Sequence, residues 1–259
     1  MSNQIKQITT SLDQGVLKIG IQRPEKMNAL TLAMYDALTA ALESAEDNHL
    51  VRVILIHGTE QCFTSGNDLH DFARNPPEGE NSPVFRFLRA ISQAKKPLIA
   101  MVSGAAVGIG TTMLLHCDLV YADEGAKFKL PFVNLGLCPE AASSYLLPKL
   151  VGYLRASEIL LLGEAIDAEK AMDLGLVNSI FPAADLSEQV MAKALQLAAQ
   201  PPASLRLTKS LLREHHAQQV AEVMRQEGKL FLQQLAKPEA QEAIKAFTEK
   251  RKADFSQFS

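Results

Sequence analysis

Two glycine-containing turns hold the residue types best suited to receive a developing negative charge. Phe63-Thr64-Ser65-Gly66-Asn67-Asp68-Leu69 follows the apolar run Val53–Ile56. Ser103-Gly104-Ala105-Ala106-Val107-Gly108-Ile109-Gly110 follows Pro97–Val102 and opens directly into a helix. The first N–H groups of a helix have no intrahelical acceptor and lie at the positive end of its dipole. Glycines on both sides of Ile109 allow a ligand carbonyl to approach the main chain closely. Two such N–H groups, brought together, would form an oxyanion hole. The same glycines would also serve two plain strand-to-helix connections. One acid, Glu140, follows Pro139 at a helix start, a position that the helix dipole alone makes favourable.

Other chemistries fail on spacing. In Gly108-Ile109-Gly110 the third glycine of a dinucleotide fingerprint would fall at Met113, and Asp118 comes too early to bind a ribose. There is no GxxxxGK[ST] phosphate loop. A nucleophile elbow around Ser65 would need glycine where Phe63 stands. The six histidines show no metal-ligand spacing, so no metal is expected. Cys62, Cys117 and Cys138 are widely spaced without a CxxC pair, as in a reduced, cytoplasmic protein with free thiols.

The elements that must position these residues alternate in the first half of the chain. β-Branched patterns at Ile5–Thr10 and Val16–Ile21 predict two strands around a turn at Asp13-Gln14-Gly15. Leu32, Tyr35, Leu38 and Leu42 predict an amphipathic helix, with Thr31 as its N-cap. Val53–Ile56 and Pro97–Val102 read as buried strands, Leu119–Tyr121 and Lys127–Lys129 as short ones, and Val84–Ala94 and Gly110–His116 as helices. Asn75 to Pro83 is a polar, Pro-rich loop beside a helix that could cover a site. From Glu140 onward the pattern is almost all helical, with separate helices at Ser204–His216, Val220–Leu235 and Glu239–Lys252.

Composition narrows the classes. With 259 residues, 47% hydrophobic, there is ample apolar surface for a large core. A formal charge of −3 argues against nucleic-acid or anionic-membrane recognition by bulk charge. No apolar run reaches the ~20 residues that cross a bilayer, and the start MSNQIKQITT lacks the pattern of a secretory signal.

The segment Arg23-Pro24-Glu25-Lys26-Met27-Asn28-Ala29-Leu30, the Ser65-Gly66-Asn67-Asp68 turn and the block Gly104…Gly108-Ile109-Gly110…Cys117-Asp118 together resemble the crotonase (enoyl-CoA hydratase/isomerase) superfamily. Gly163-Glu164…Gly175-Leu176-Val177 and Ala246 to Lys252 extend the match over residues 10–252. The resemblance implies an α/β fold, a spiral of ββα repeats with a C-terminal helical trimerisation region. It divides the chain into a core at 1–200 and an oligomerisation region at 201–259. It implies an acyl-CoA partner, no separate cofactor, and a homotrimer or dimer of trimers. On it, the N–H groups of Asn67 and Ile109 would hold the thioester oxygen, framed by Ser65, Gly66, Asp68, Leu69 and Gly108. Lys26, Met27 and Ala29 would line the adenine site, and Arg23, Lys26 and Lys250 would offer charge to the phosphates. Phe247 and Lys250 would approach the CoA of a neighbouring subunit.

Hydratases of that superfamily use two glutamates, and the matching positions here hold Thr112 and Phe132. Leu135 to Tyr145 instead resembles the peroxisomal type of Δ3,Δ2-enoyl-CoA isomerase, in which the residue matching Glu140 is the base. One carboxylate suffices to move a double bond, so the resemblance implies isomerisation in the oxidation of unsaturated acyl chains. Phe72, Phe128, Phe132, Leu135 and Tyr145 would form the acyl pocket and raise the proton affinity of Glu140 by desolvation. The alternatives are a ring-epoxide isomerase of phenylacetyl-CoA degradation, an atypical hydratase, and an acyl-CoA-binding module without catalysis.

Overall fold

The computed structural model describes residues 7–76, 79 and 81–258. The first six residues and residues 77, 78 and 80 of the Pro-rich loop lie outside the described part. So do the first two positions of the strand predicted at Ile5–Thr10.

The chain opens with a hairpin, β1 (Ile8–Asp13) and β2 (Val16–Ile21). Gln14 and Gly15 both have positive φ, 47° and 83°, as a two-residue turn matching the twist of its strands requires. Thr31 caps α1 (Leu32–Asp47), its Oγ1 accepting the Met34 N–H. Three passes of a common unit follow, each a long strand, a short strand and then helix. They are β3 (Val53–His57), β4 (Cys62–Thr64), α2 (Leu69–Arg74) and α3 (Pro83–Gln93); β5 (Leu98–Val102), β6 (Ala105–Val107) and α4 (Ile109–Thr112), which continues as a 3-10 turn to His116; and β7 (Leu119–Asp123), β8 (Lys127–Lys129), α5 (Ser143–Val151) and α6 (Tyr153–Leu162). The chain continues through β9 (Ala165–Asp167), α7 (Ala168–Asp173), β10 (Ser179–Phe181), α8 (Leu186–Ala198), α9 (Pro202–Leu235) and α10 (Pro238–Thr248).

The long strands form one sheet in the order β1-β2-β3-β5-β7-β10, parallel from β2 onward. The short ones form a second, β4-β6-β8-β9. This is the spiral of ββα turns that the resemblance implied, followed by a helical C-terminal region. The long strands read as continuous apolar runs because both faces are covered. Val53 and Leu55 of β3 pack with Leu186 and Val190 of α8, whereas Ile54 and Ile56 point into the main core with Leu38 and Leu42 of α1. Each such buried side chain contributes roughly 1.5–3 kcal/mol.

The structure adds two details and corrects one expectation. β4 and β6, inside the glycine-containing turns, have three residues each, too few to show an alternating pattern. The second half is almost all helical, and its two three-residue strands, β9 and β10, complete the two sheets. The helices predicted at Ser204–His216 and Val220–Leu235 are one 34-residue helix, α9. The polar stretch His215 to Gln219 that separates their apolar stripes contains no Gly or Pro, so nothing ends the helix there.

Candidate active site

β4 and β6 run parallel as neighbours, with Cys62 opposite Ala105 and Thr64 opposite Ala106. The turns that follow them therefore emerge side by side at the same edge. Gly66 has φ +93°, and a Cβ there would stand 2.9 Å from the Val107 carbonyl oxygen, so only glycine lets the turns come this close. Gly108, at φ 57° and ψ −119°, has a backbone that side-chain-bearing residues avoid, and it directs Ile109 into α4. Among the described residues, neither the Asn67 nor the Ile109 N–H makes a hydrogen bond within the protein. The main chain around Asn67 is fixed by Leu30, whose N–H donates to Gly66 O (2.8 Å) and whose carbonyl accepts from Asp68 N (2.9 Å). The Tyr35 hydroxyl donates to Asn67 Oδ1 at 2.5 Å. Burial, then the charge of Glu140, push the Tyr35 phenol well above its ordinary pKa and keep it a donor.

Glu140 shares a narrow cavity with Asn67. Tyr35, Phe72, Val84, Phe85, Leu88 and Phe231 form the rest of its wall. The space is about 20 Å³, room for about one water, so an acyl chain must displace side chains to enter. Glu140 is 7% exposed. Thr112 Oγ1 donates to its Oε1, and Oε2 has no hydrogen-bond partner among the described residues. Burial pushes its pKa up to about 8, against the lowering effect of the Thr112 hydrogen bond and with a further rise from Glu227. A buried, high-affinity carboxyl with one free oxygen, in the same cavity as Asn67, can exchange a proton with a ligand that enters there.

The family model for enoyl-CoA hydratase/isomerase matches residues 11–258. The chain belongs to the enoyl-CoA hydratase/isomerase family. Enoyl-CoA delta isomerase 2 of Rattus norvegicus is 33% identical over 256 residues, which are 96% of this chain and 65% of the rat protein; the chain spans just under two thirds of that relative's length. The 2,3-dehydroadipyl-CoA hydratase of Escherichia coli (strain K12) is 34% identical over 252 residues, covering 97% of this chain and 99% of that protein. The crystal structure of an enoyl-CoA hydratase/isomerase from Pseudoalteromonas atlantica T6c superposes with a TM-score of 0.92 at 41% identity, over 96% of this chain and all of the other. Hydratases and isomerases stand side by side among these relatives. Membership of the enoyl-CoA hydratase/isomerase family therefore leaves the reaction to the side chains of the site.

The segment 23–30 is tied to the Asn67 turn. Asn28, fully buried, donates through Nδ2 to Cys62 O (2.6 Å) and Phe63 O (3.2 Å), and its carbonyl accepts from Thr64 Oγ1 (2.7 Å). Ser65 N donates to Met27 O at 3.0 Å. Arg23 donates to Asp68 Oδ2 (2.7 Å) and Ala29 O (2.8 Å), so its guanidinium braces the segment from inside. Lys26 and Met27 are exposed and Ala29 is half-buried. Asp68 also caps α2, in which Leu69 is the first residue. Asn28 did not stand out in the sequence, although an asparagine after a Pro-Glu-Lys turn is the residue type that tolerates its φ of 55°.

Of the expected acyl wall, only Phe72 lines the cavity. Phe128 belongs to a separate apolar packet with Leu147, Val151 and Ile159. Phe132 is buried and Leu135 half-buried, both away from the cavity wall. Tyr145, on the outer side of α5, meets His216 and Lys149. Most of the cavity wall comes instead from α3 and α9, which contribute Val84, Phe85, Leu88 and Phe231. Phe247 is 59% exposed on α10 and Lys250 lies just beyond it, neither of them lining the cavity.

Proposed function

We propose that this protein is a Δ3,Δ2-enoyl-CoA isomerase. The observation that supports this is the single carboxylate in the cavity wall, Glu140, with a threonine hydrogen-bonded to it where a hydratase has its first glutamate. Glu140 Oε2 takes the C2 proton of a 3-enoyl thioester. The negative charge that develops on the thioester oxygen is received by the N–H groups of Asn67 and Ile109, each donor of this kind being worth ~2.7–4 kcal/mol. The protonated carboxyl returns the proton to C4 and leaves the conjugated 2-enoyl thioester. Its raised pKa makes it a stronger base than a free carboxylate. The apolar walls keep water from the dienolate.

The CoA handle runs over Lys26, Met27 and Ala29, with Phe247 and Lys250 supplied by a neighbouring subunit of a trimer or a pair of trimers. Exposed Leu154 and Leu161 of α6 and Leu207 and Leu212 of α9 give such an assembly an apolar surface to bury. Beyond Phe85, a groove of about 380 Å³ between α3 and α9 leads away from Glu140 and would take the distal acyl chain. Hydration is the second reading, favoured by the Escherichia coli relative's name. It needs another acid or base in the cavity, and Glu227, the nearby carboxylate, has both oxygens occupied by main-chain N–H groups.

Incubation with a 3-enoyl-CoA should raise the absorbance of the conjugated thioester, and Glu140→Gln should abolish that rise while CoA-ester binding persists. No rise with the wild type would overturn isomerisation. Loss of a 2-enoyl-CoA chromophore to water would establish hydration instead, and binding without either reaction would establish a non-catalytic module.

A further inference from the structure

Glu140 leads into an unusual stretch of backbone. Ala141 and Ala142 both adopt positive φ, 60° and 56°, in the left-handed region where the Cβ of alanine crowds the backbone. α5 then begins with no cap from its own side chains. The cap comes from α9: Glu227 accepts from Ala142 N at 2.6 Å through Oε2 and from Ser144 N at 2.9 Å through Oε1. Below the turn, His116 Nε2 donates to Ala141 O at 2.8 Å; burial lowers the His116 pKa to about 4, so the ring is a neutral donor. Glu227 is 6% exposed and makes no ion pair among the described residues. A serine at the cap position, 142, would reach only the Ser144 N–H and leave its own unpaired, so the two-oxygen carboxylate holds what a hydroxyl cannot.

We propose that Glu227 is a positioning residue of the reaction, acting through Glu140: it clamps the strained 140–144 turn and sets a second negative charge behind the base. This rests on the reading of Glu140 as the proton-transfer group. The groups facing the pair are Thr112 from α4, Tyr35 from α1, Cys138 ahead of the turn and His116 beneath it; none is a cation at neutral pH. Burial raises the proton affinity of Glu227 as well, against the lowering effect of its bonds from Ser144 and Ala142. Its ionised form acts on Glu140 without a compensating cation among these groups and adds to the effect of burial in raising the proton affinity of Glu140. Two carboxylates coupled in this way titrate as a pair.

The test uses Glu227→Gln and Glu227→Asp in the full-length protein, with kcat and KM for a 3-enoyl-CoA measured across pH. Gln removes the charge, and with its amide nitrogen one of the two accepting contacts, so the acid limb of the profile should move to lower pH while kcat falls. Asp keeps the charge and shortens the clamp, so the limb should stay while kcat falls, up to ~100-fold for a displacement near 1 Å, with KM little changed. A limb that Gln leaves in place, or that Asp moves equally, overturns the proposal. The Glu140 carboxyl stretch, identified by its loss in Glu140→Gln, gives the same titration by infrared difference spectroscopy without turnover. Failure of the isomerase reading would then show as an inactive wild type whose Glu140 titration still responds to Glu227→Gln. If Gln does not fold, an Asp variant whose infrared titration departs from wild type still overturns the charge argument.

Discussion

Glu140→Gln should change not only turnover but the way stability depends on pH. In the folded protein the carboxyl has a pKa of about 8, raised by burial, against an ordinary value of 4.5. Between those values the folded state binds a proton that the unfolded chain has released, so stability falls as pH rises through the window. The loss is small at pH 5 and complete above about 8. Each tenfold in proton affinity is about 1.4 kcal/mol, so the full penalty is on the order of 4–5 kcal/mol. Gln cannot ionise. Its stability relative to wild type should therefore grow by roughly 4 kcal/mol between pH 5 and pH 9. Urea unfolding of both proteins at matched salt and protein concentration reads the difference, and agreement of m-values checks that the same transition is compared. The offset at pH 5 reflects the packing of the amide; the slope belongs to the charge. Parallel pH profiles, or a gap that opens toward wild type, would refute the burial of an ionisable Glu140 and the chemistry built on it.

Thr112→Val removes the hydrogen bond that favours the charged carboxyl; the acid limb of kcat/KM should move to higher pH, and an unmoved limb would deny Thr112 that role. Ile109→Pro deletes one N–H at a helix start, where proline is tolerated, and should lower kcat by roughly 10²–10³ with folding retained by circular dichroism; near-normal turnover would dismiss that donor. A Cβ on Gly228 of α9 would lie 2.6 Å from Phe85 Cε1, so Gly228→Ala should press that ring toward the cavity and cut kcat/KM for long-chain 3-enoyl-CoAs more than for short ones; Phe85→Ala should do the reverse. Equal effects on all chain lengths would remove the α3–α9 groove from the acyl path.

What the sequence reveals here depends on how far apart the partners lie. The Gly66 and Gly108 turns were legible because each is complete within a few residues, and the Thr31 cap because the N–H it accepts lies three positions on; Glu140 was singled out by the resemblance. The juxtaposition of the two turns rests on β4 and β6, whose three residues leave no period to detect. Glu227 reaches Ala142 across 85 positions and sits on a helix where a glutamate is ordinary. Its role shows only when α9 is folded back over the turn. The wall of the Glu140 cavity was not legible for the same reason: Phe128 and Tyr145, nearer to Glu140 in sequence, do not line it, whereas Phe85 and Phe231 arrive from α3 and α9.

The stitching of residues 23–30 to the Asn67 turn has a consequence for how such a protein can be altered. Arg23–Asp68, Asn28 to Cys62 and Phe63, Thr64–Asn28 and Ser65–Met27 bind the 23–30 segment and the Asn67 turn into one body. The opposite wall, from α3 and α9, shares none of these bonds. The cavity-facing residues of α3 and α9, Val84, Phe85, Leu88 and Phe231, can thus be redrawn without touching that body, whereas Glu227 of α9 stays tied to the 140–144 turn, and the division marks which half of the cavity wall is free to diverge.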